Sequence, residues 1–239
     1  STAWLHQAVR KAAKYELMVD IHDEYRPTGY SRTYPNLITQ EGIRGDEESP
    51  ALTQSIYTLY NRMICGAGDN TNCYFAERVS TKMGGLAAQL AKRVAIYSPW
   101  QFVFWYDRPE KAPSRAGGAG STESVIKTDA LTAFYCSIPT VWDDTRFCEG
   151  DMDSYAVVAR RSGSDWYVSV LNEGDKRRVT VPVAEWLPQV VRYKAMWYHQ
   201  PGNKKDEVRA KALPCDGKSP IMLEVAANTG CLLHLTPIK

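Results

Sequence analysis

The 239-residue sequence lacks several features that would assign it to a specialised class of protein. It contains no apolar run of about 18 residues, which excludes a conventional membrane-spanning helix. Its 29 Lys and Arg residues nearly balance 27 Asp and Glu residues and form no basic block, which argues against a nucleic-acid partner. It has neither a basic-then-apolar opening nor a Cys-x-x-Cys pair, so we expect no signal peptide in these residues and no zinc or redox motif.

The composition is that of an ordinary globular protein, with 44% hydrophobic residues, 23% charged residues and a net charge of +2. A disordered chain would combine lower hydrophobicity with higher net charge. The 7 Trp and 14 Tyr residues suit a sugar-binding cleft or a β-sandwich core, and the core is the commoner use. The 6 cysteines permit disulfides in an exported protein, but we expect most of them to be buried as small hydrophobic side chains.

The first part of the chain alternates helix-like and strand-like segments. Residues 1–15 place apolar side chains at helical spacing, and the run 17–22 is short, apolar and ends in charge, as a buried parallel strand does. Residues 85–97 again have helical spacing, and 101–105 form another short apolar run. This order of elements predicts a parallel sheet or barrel.

From about residue 152 the pattern becomes all-β. Six short runs of β-branched, aromatic and aliphatic residues are separated by turn-forming stretches such as 162–165. Before them, 111–124 is rich in Gly, Ala and Ser and is predicted to be a flexible linker or mobile loop. We therefore divide the chain into an α/β part, residues 1–150, and an all-β, sandwich-like domain, residues 151–239.

The densest group of polar side chains follows the first predicted strand. We expect a long loop over 23–49. Ser49-Pro50 is a good helix start, with Ser49 as the cap, and a helix or a strand follows it. Loops at the C-terminal ends of strands form the active sites of barrels and open α/β sheets. Carboxylates with nearby arginines can cleave a glycosidic bond, hold a hard cation such as calcium, or simply form surface ion pairs. The density of His, Asp, Glu, Arg, Tyr and Asn in this loop favours a functional site.

Several stretches of this sequence resemble one enzyme family, and they occur in the same order. They are HDEYRPTG (22–29), RTYPNL (32–37), QEGIRGDE (40–47), NRMICGAGD (61–69), IPTVWDDT (138–145) and ARRSGSDWY (159–167). Together they resemble glycoside hydrolase family 97, a family of α-glucosidases and α-galactosidases. The resemblance covers nearly the whole chain.

The resemblance implies an N-terminal β-sandwich, a (β/α)8 barrel and a C-terminal β domain. It places residue 1 after the fourth barrel strand, so the expected fold is the second half of a TIM-like barrel followed by the β domain. It also implies an oligosaccharide substrate with terminal α-linked glucose or galactose, and a periplasmic or secreted location in a Gram-negative bacterium. Half a barrel exposes two sheet edges, which predicts pairing with the other half or with a second copy of the chain.

The resemblance also assigns catalytic and metal-binding roles. The family's general acid is a Glu six residues after another Glu, which makes Glu47 the proton donor and Glu41 its partner. In inverting members a Glu directly after the position of His22 is the base that activates water and contacts calcium, whereas retaining members have Gly. This chain has Asp23 there, which favours an inverting course. The implied calcium ligands are Asp23, Glu41 and Glu47.

The candidate substrate-binding residues are His22, Arg26, Arg32, Asp69 and Trp142. Each has a structural alternative: ion pairs for the arginines, a core position for the histidine, a turn for the aspartate and a packing anchor for the tryptophan. For the whole chain, the alternative function is a truncated, catalytically incomplete family member that acts as a carbohydrate-binding or structural module. A third possibility is an acid/base enzyme that acts on something other than a sugar.

Overall fold

The structure is a computed structural model that describes residues 2–23, 25–111 and 124–238. The predicted linker at 111–124 lies almost entirely outside the described residues. The helices are α1 (Thr2–Lys14), α2 (Leu52–Tyr60), α3 (Glu77–Lys82), α4 (Gly85–Ala95) and α5 (Ala130–Ser137). Measured over the described ranges, none of them has the length and apolar character that crossing a bilayer requires.

Twelve β-strands are found in the described residues, most of them in the second half of the chain. In the first half they are β1 (Val19–Ile21), β2 (Leu37–Gln40), β3 (Asp107–Arg108) and β4 (Ser124–Val125). In the second half they are β5 (Asp144–Asp151), β6 (Tyr155–Ser162), β7 (Asp165–Asn172), β8 (Arg177–Val181), β9 (Tyr193–His199), β10 (Arg209–Leu213), β11 (Ile221–Val225) and β12 (Thr229–Pro237).

The start of the chain confirms the predicted helix and strand and adds a strand that was not predicted. α1 packs through the buried Val9 on Ile21 of β1 and Leu37 of β2. β1 and β2 pair in parallel, so the prediction of a continuous loop over 23–49 was wrong. β2 is only four residues long and lies between turn formers, and its pairing with β1 stabilises it in the extended conformation.

Two further local predictions were wrong. Ser49 does not cap α2, because its φ of 52° is left-handed and a capping residue needs an extended backbone. Residues 101–105 do not form a regular strand. Val103 makes only an isolated parallel bridge with Asn72, and the next residue, Phe104, has a φ of 62° that interrupts an extended conformation.

Helix α4 joins the two parts of the chain, and all of its residues are buried. It contacts β7 and β12. Ser169 of β7 donates to the carbonyl of Ala91 over 2.8 Å, and Thr229 of β12 donates to the carbonyl of Gly84 over 2.6 Å. The polar groups at this contact are therefore hydrogen-bonded, and the α/β part and the β part share one packed interface.

The second half forms two sheets. A six-stranded antiparallel sheet has the order β10-β9-β12-β7-β6-β5, and β11 pairs with β8 in a second sheet. An apolar core that includes Val168, Val170 and Leu233 from the first sheet and Val179 and Leu223 from the second lies between them. This arrangement matches a sandwich-like domain.

All six strands predicted in the second half are present, and two more were missed. The missed strands, β5 and β10, lie at the two edges of the six-stranded sheet and expose most of their side chains. They therefore lack the alternating apolar pattern that identifies a half-buried strand. The division of the chain at residue 150 and the assignment of the first part to half of a barrel stay predictions.

The expectation that most cysteines are buried was wrong. All six are free, but only Cys73 and Cys231 are buried, while Cys65 and Cys136 are exposed. Cys231 lies in the core between the two sheets, where burial raises the pKa of its thiol to about 12. Its side chain packs there as a small apolar group.

Candidate active site

The polar loop residues meet at the carboxyl ends of the parallel strands β1 and β2. His22 directly follows β1, and Glu41 directly follows β2. Because the two strands are parallel neighbours, their ends lie at the same edge of the sheet. The backbone N–H of Asp69 donates to the carbonyl of Gln40 over 3.1 Å, which brings a third loop to this edge.

The three predicted catalytic and calcium-binding carboxylates line one cavity of about 700 Å³, which we call the carboxylate cavity: Asp23, Glu41 and Glu47. The backbone N–H of Asp23 donates to Oε2 of Glu41 over 2.5 Å, and the carboxyls of Glu41 and Glu47 share a hydrogen bond. Asp23 is exposed and has a φ of 67°, a left-handed conformation that Asp tolerates better than most residues. The structure thus places all three carboxyls at one opening.

Glu47 has the protonation behaviour that a general acid needs. The pKa of Glu47 is raised to about 7, mainly by burial and also by the Glu41 carboxyl through the shared hydrogen bond and its charge, against a backbone hydrogen bond that lowers it. The neighbouring charge of Asp46 also raises the pKa of Glu47. A carboxyl with a pKa near neutral pH is present there in both forms, and its protonated form can deliver a proton to a leaving group.

The short 3-10 helix that carries Glu47, Asp46–Glu48, is attached to helix α4 by a buried ion pair. Lys92 donates to Oδ1 of Asp46 over 2.6 Å, and Gln89 donates to Oδ2 over 2.7 Å. The pairing of Asp46 with Lys92 was not predicted. A lysine within the apolar helical run 85–97 was the one signal that could have indicated a buried charge partner.

The His22 ring lies among three carboxylates. Its Nε2 is 3.2 Å from Oδ2 of Asp20 and 2.9 Å from Oδ2 of Asp69, and its Nδ1 is 3.8 Å from Oε2 of Glu41. The hydrogen bonds to Asp20 and Asp69 raise the pKa of His22 to about 10 against the opposing effect of burial, so the ring is a cation at neutral pH. Asp20 was not predicted, although it lies in β1, two residues before His22.

The remaining predicted residues lie in different places. Arg26 lines the carboxylate cavity. Arg32 is exposed at the end of a 3-10 helix, and Trp142 packs edge-on against Tyr167 of the large sheet at 5.5 Å. Among the described residues that line the carboxylate cavity, neither Arg32 nor Trp142 is found. The surroundings of Trp142 are those of a packing anchor between the two parts of the chain.

The donor set of the carboxylate cavity fits a calcium ion. Asp23, Glu41 and Glu47 supply carboxylate oxygens, which are the ligands that calcium prefers. Two carboxyls in hydrogen-bonding contact repel each other unless they share a proton or a cation. The contact of Glu41 with Glu47 is therefore compatible with either a shared proton or a bound cation.

Two family models match the chain. The model described as glycoside hydrolase 97 matches residues 1–43, and the model described as glycosyl-hydrolase 97 C-terminal, oligomerisation, matches residues 141–236. The first match covers β1, β2 and part of the lining of the carboxylate cavity. The second covers nearly all of the two sheets.

Curated relatives agree with the family models. The chain is 31% identical over 197 residues to a retaining alpha-galactosidase of Bacteroides thetaiotaomicron, a match that covers 75% of this chain and 28% of that enzyme. It is 27% identical over 193 residues to a probable retaining alpha-galactosidase of Streptomyces bingchenggensis, a match that covers 79% of this chain and 28% of that protein. The chain thus corresponds to just over a quarter of each relative.

Solved structures share the fold. A glycoside hydrolase family 97 enzyme of Pseudoalteromonas sp. strain K8 in complex with acarbose superposes with a TM-score of 0.79 at 21% identity, over 99% of this chain and 37% of that chain. A beta-arabinopyranosidase superposes with a TM-score of 0.70 at 22% identity, over 95% of this chain and 35% of that chain. The fold and the matched segments place the chain among the glycoside hydrolases. Within that class it belongs to glycoside hydrolase family 97, which confirms the resemblance seen in its motifs.

Proposed function

We propose that this chain supplies the acid/base site of an α-glycosidase that removes terminal α-linked galactose from oligosaccharides, with α-linked glucose as the second candidate sugar. One observation carries the proposal: Asp23, Glu41 and Glu47 line a single cavity at the ends of two parallel strands. The names of the curated relatives support galactose over glucose.

In the proposed reaction Glu47 is the proton donor. Because of its raised pKa a large fraction of the carboxyl is protonated at neutral pH, and this form can protonate the glycosidic oxygen as the bond to the anomeric carbon breaks. Asp23, exposed in the same cavity, is the proposed base that removes a proton from the attacking water. The water oxygen then bonds to the anomeric carbon. Glu47 has lost one proton and Asp23 has gained one, so the protons balance.

His22 and Arg26 are the proposed sugar-binding residues. Arg26 lines the cavity, and the half-buried His22 ring is a cation held by Asp20 and Asp69, so both present hydrogen-bond donors that suit sugar hydroxyls. Asp69 is fully buried and hydrogen-bonds to His22, so we assign it an indirect part in substrate binding. The roles of Arg32 and Trp142 in sugar binding stay predictions.

For the stereochemical course, two observations point in opposite directions. Both curated relatives are named as retaining enzymes, whereas this chain carries a carboxylate at position 23 that lines the cavity with the proposed acid. The proposal follows the chain's own residue and assigns an inverting course with Asp23 as the base. Proton NMR of the first sugar released from an α-galactoside tests it: β-galactose supports inversion, and α-galactose overturns it.

Calcium is the proposed cofactor of the carboxylate cavity, where Asp23, Glu41 and Glu47 would hold it. When bound, the ion supplies positive charge that polarises nearby oxygen atoms and offsets the charge of the carboxylates. We place the enzyme in the periplasm or outside the cell of a Gram-negative bacterium. Its proposed protein partners are the other half of the barrel and a second copy of the chain, and the word oligomerisation in the description of the C-terminal family model supports the second copy.

The acid assignment is tested in the full-length enzyme with nitrophenyl α-galactoside, nitrophenyl α-glucoside and an unactivated disaccharide. We expect Glu47→Gln to abolish cleavage of the disaccharide while leaving measurable cleavage of the nitrophenyl sugars, whose leaving groups need little protonation. The matched control is Glu224→Gln, an exposed glutamate on the second sheet, which should keep full activity. Unchanged disaccharide turnover by Glu47→Gln would contradict the assignment, and sugar binding without any turnover by the wild type would favour the binding-module alternative.

A further inference from the structure

Arg62, in the 3-10 helix Arg62–Cys65, donates hydrogen bonds to the backbone of two loops beside the carboxylate cavity. Five carbonyl oxygens accept from its guanidinium nitrogens, and they belong to Gln40 (3.3 Å), Glu41 (3.0 Å), Gly42 (3.2 Å), Gly66 (3.0 Å) and Ala67 (2.9 Å). A planar guanidinium carries five N–H donors in a fixed fork, a geometry that lysine cannot reproduce.

The two loops carry functional side chains. The first loop follows β2 and carries Glu41, whose Oε2 accepts the N–H of Asp23 and faces the His22 ring. The second loop leads into Asp69, whose carboxylate binds the same ring at 2.9 Å. By bonding to both loops, Arg62 fixes the separation of the groups that surround His22.

The interactions of Arg62 are almost entirely with the backbone. Among the described residues, no carboxylate lies within 4.0 Å of the Arg62 guanidinium. Burial lowers the pKa of Arg62. The carbonyl oxygens of the two loops hold the half-buried guanidinium in place, and the guanidinium in turn keeps the two loops at a fixed separation. An ordinary surface ion pair would have a carboxylate partner and would tolerate replacement by lysine.

Two glycines leave room for the guanidinium. A Cβ atom on Gly68 would lie 3.2 Å from Nη2 of Arg62 and 2.9 Å from the end of the Met63 side chain. A Cβ atom on Gly42 would lie 3.4 Å from Nε of Arg62 and 2.6 Å from the carbonyl of Tyr25. Each loop therefore approaches Arg62 closely because it has glycine at the point of contact.

We propose that Arg62 is a positioning residue that sets the place of Glu41 against Glu47 and His22 by fixing the carbonyls of both loops. The proposal rests on the proposed function of the carboxylate cavity, because Glu41 is the group through which Arg62 acts. Misplacing a catalytic group by about 1 Å costs on the order of 100-fold in rate. Loss of this positioning therefore lowers turnover more than it weakens substrate binding.

The test compares Arg62→Lys with Arg160→Lys in the full-length protein. Arg160 is a buried arginine that also donates to backbone carbonyls, those of Val94 and Ala95, but its bonds go to helix α4 and to Thr145 of β5 and not to the two loops beside the carboxylate cavity. We expect Arg62→Lys to lower kcat on nitrophenyl α-galactoside about 10- to 100-fold with KM changed less than about threefold. Arg160→Lys should lower the melting temperature without a comparable fall in kcat.

Hydrogen–deuterium exchange gives a readout that does not depend on activity. In Arg62→Lys the amides of Asp23 and Asp69, which donate to Glu41 and Gln40, should exchange faster than in the wild type. In Arg160→Lys they should keep their wild-type rates. If Arg62→Lys does not fold, Gly68→Ala replaces it, because the added methyl group pushes on the guanidinium at a position without left-handed strain.

Unchanged kcat together with unchanged exchange in Arg62→Lys would overturn the proposal. Equal losses of kcat in Arg62→Lys and Arg160→Lys would also overturn it, because they would reflect general destabilisation. If the wild-type enzyme hydrolyses no α-glycoside, the proposed function fails, and the exchange rates alone decide whether Arg62 positions the loops.

Discussion

Lys92 donates a 2.6 Å hydrogen bond to Asp46 where neither side chain reaches solvent. The pair joins the central helix α4 to the 3-10 helix that carries Glu47. Gln89, one helical turn before Lys92, binds the second oxygen of the same carboxylate and accepts from Asn72. The proposed proton donor is therefore attached to the most buried helix of the protein through a fully partnered ionic group.

Removing one member of this ion pair should destabilise the protein strongly. Lys92→Met leaves the Asp46 carboxylate buried without its cation, which costs about 3–5 kcal/mol of unfolding free energy. Urea unfolding measures the loss. The control is Lys176→Met, which removes the exposed partner of Glu224 and should change stability little.

The double variant Asp46→Asn/Lys92→Met separates charge from packing. It removes both charges, so it should lose less stability than the sum of the two single variants. Strictly additive losses would contradict the assignment of a buried ion pair, and a small loss in Lys92→Met would show that the amine is not needed to balance the charge of Asp46.

Gly45 tests the position of the Glu47 carboxyl. Its backbone is extended, with a φ of −70°, so alanine adds no conformational strain. A Cβ atom there would overlap the Glu47 carboxylate, lying 2.8 Å from Oε1 and closer still to Oε2. We expect Gly45→Ala to lower kcat at least tenfold, because the carboxyl must turn away from its place in the cavity, while the melting temperature changes little.

The control for Gly45→Ala is Gly163→Ala, where the added methyl group strains the backbone but contacts no other atom. Gly163 has a φ of 57° and no neighbouring atom within 4 Å of an added Cβ, so alanine there is strained but meets nothing. It should lower the melting temperature and leave kcat unchanged. Full activity of Gly45→Ala would mean that Glu47 acts from a different rotamer from the one described.

The elements that the sequence predicted are those with a strong local pattern. α1 has regular helical spacing, and β6, β7 and β12 have long apolar runs with buried faces. β5 and β10 escaped prediction because edge strands expose their side chains, and β2 because a four-residue strand is stabilised by its neighbour rather than by its own pattern.

The site was predictable where its residues follow one another along the chain. His22, Asp23, Glu41 and Glu47 belong to motifs within one loop region, and the structure brings all four to one edge. Asp69 was predicted as a substrate-binding residue, but its bond to His22 spans 47 residues of sequence, as the bond of Lys92 to Asp46 spans 46. Such pairings depend on the packing of whole elements, which residue spacing does not reveal.

The raised pKa of Glu47 predicts a pH dependence of hydrolysis. A general acid works only when protonated, so with a pKa of about 7 the value of kcat/KM for an unactivated substrate should fall about tenfold per pH unit above that value. Because Glu41 contributes to the raised pKa, Glu41→Gln should move this limb of the pH–rate profile to lower pH. If the Glu47→Gln enzyme shows the same fall of kcat/KM above pH 7, the fall comes from the titration of another group.

Asp107 gives a prediction about stability rather than activity. Its Oδ2 accepts the N–H of Phe75 over 3.0 Å, and its Oδ1 has no hydrogen-bond partner among the described residues. Burial raises the pKa of Asp107 to about 6 from an ordinary 3.8. Between these two values the folded protein binds more protons than the unfolded chain, so stability falls as pH rises through this window.

Asp107→Asn should remove that loss, because asparagine keeps an acceptor for Phe75 and stays neutral. The stability of the variant relative to the wild type should rise between about pH 4 and pH 7, by at most about 3 kcal/mol for a pKa of about 6 against 3.8. Urea unfolding at pH 4, 5.5 and 7.5 measures the difference. Asp216→Asn is the control. Backbone N–H groups lower the pKa of this exposed aspartate to about 2, so the stability of the wild type relative to this variant should decline only at acidic pH. A constant difference between Asp107→Asn and the wild type at all three pH values would show that Asp107 does not titrate in this range.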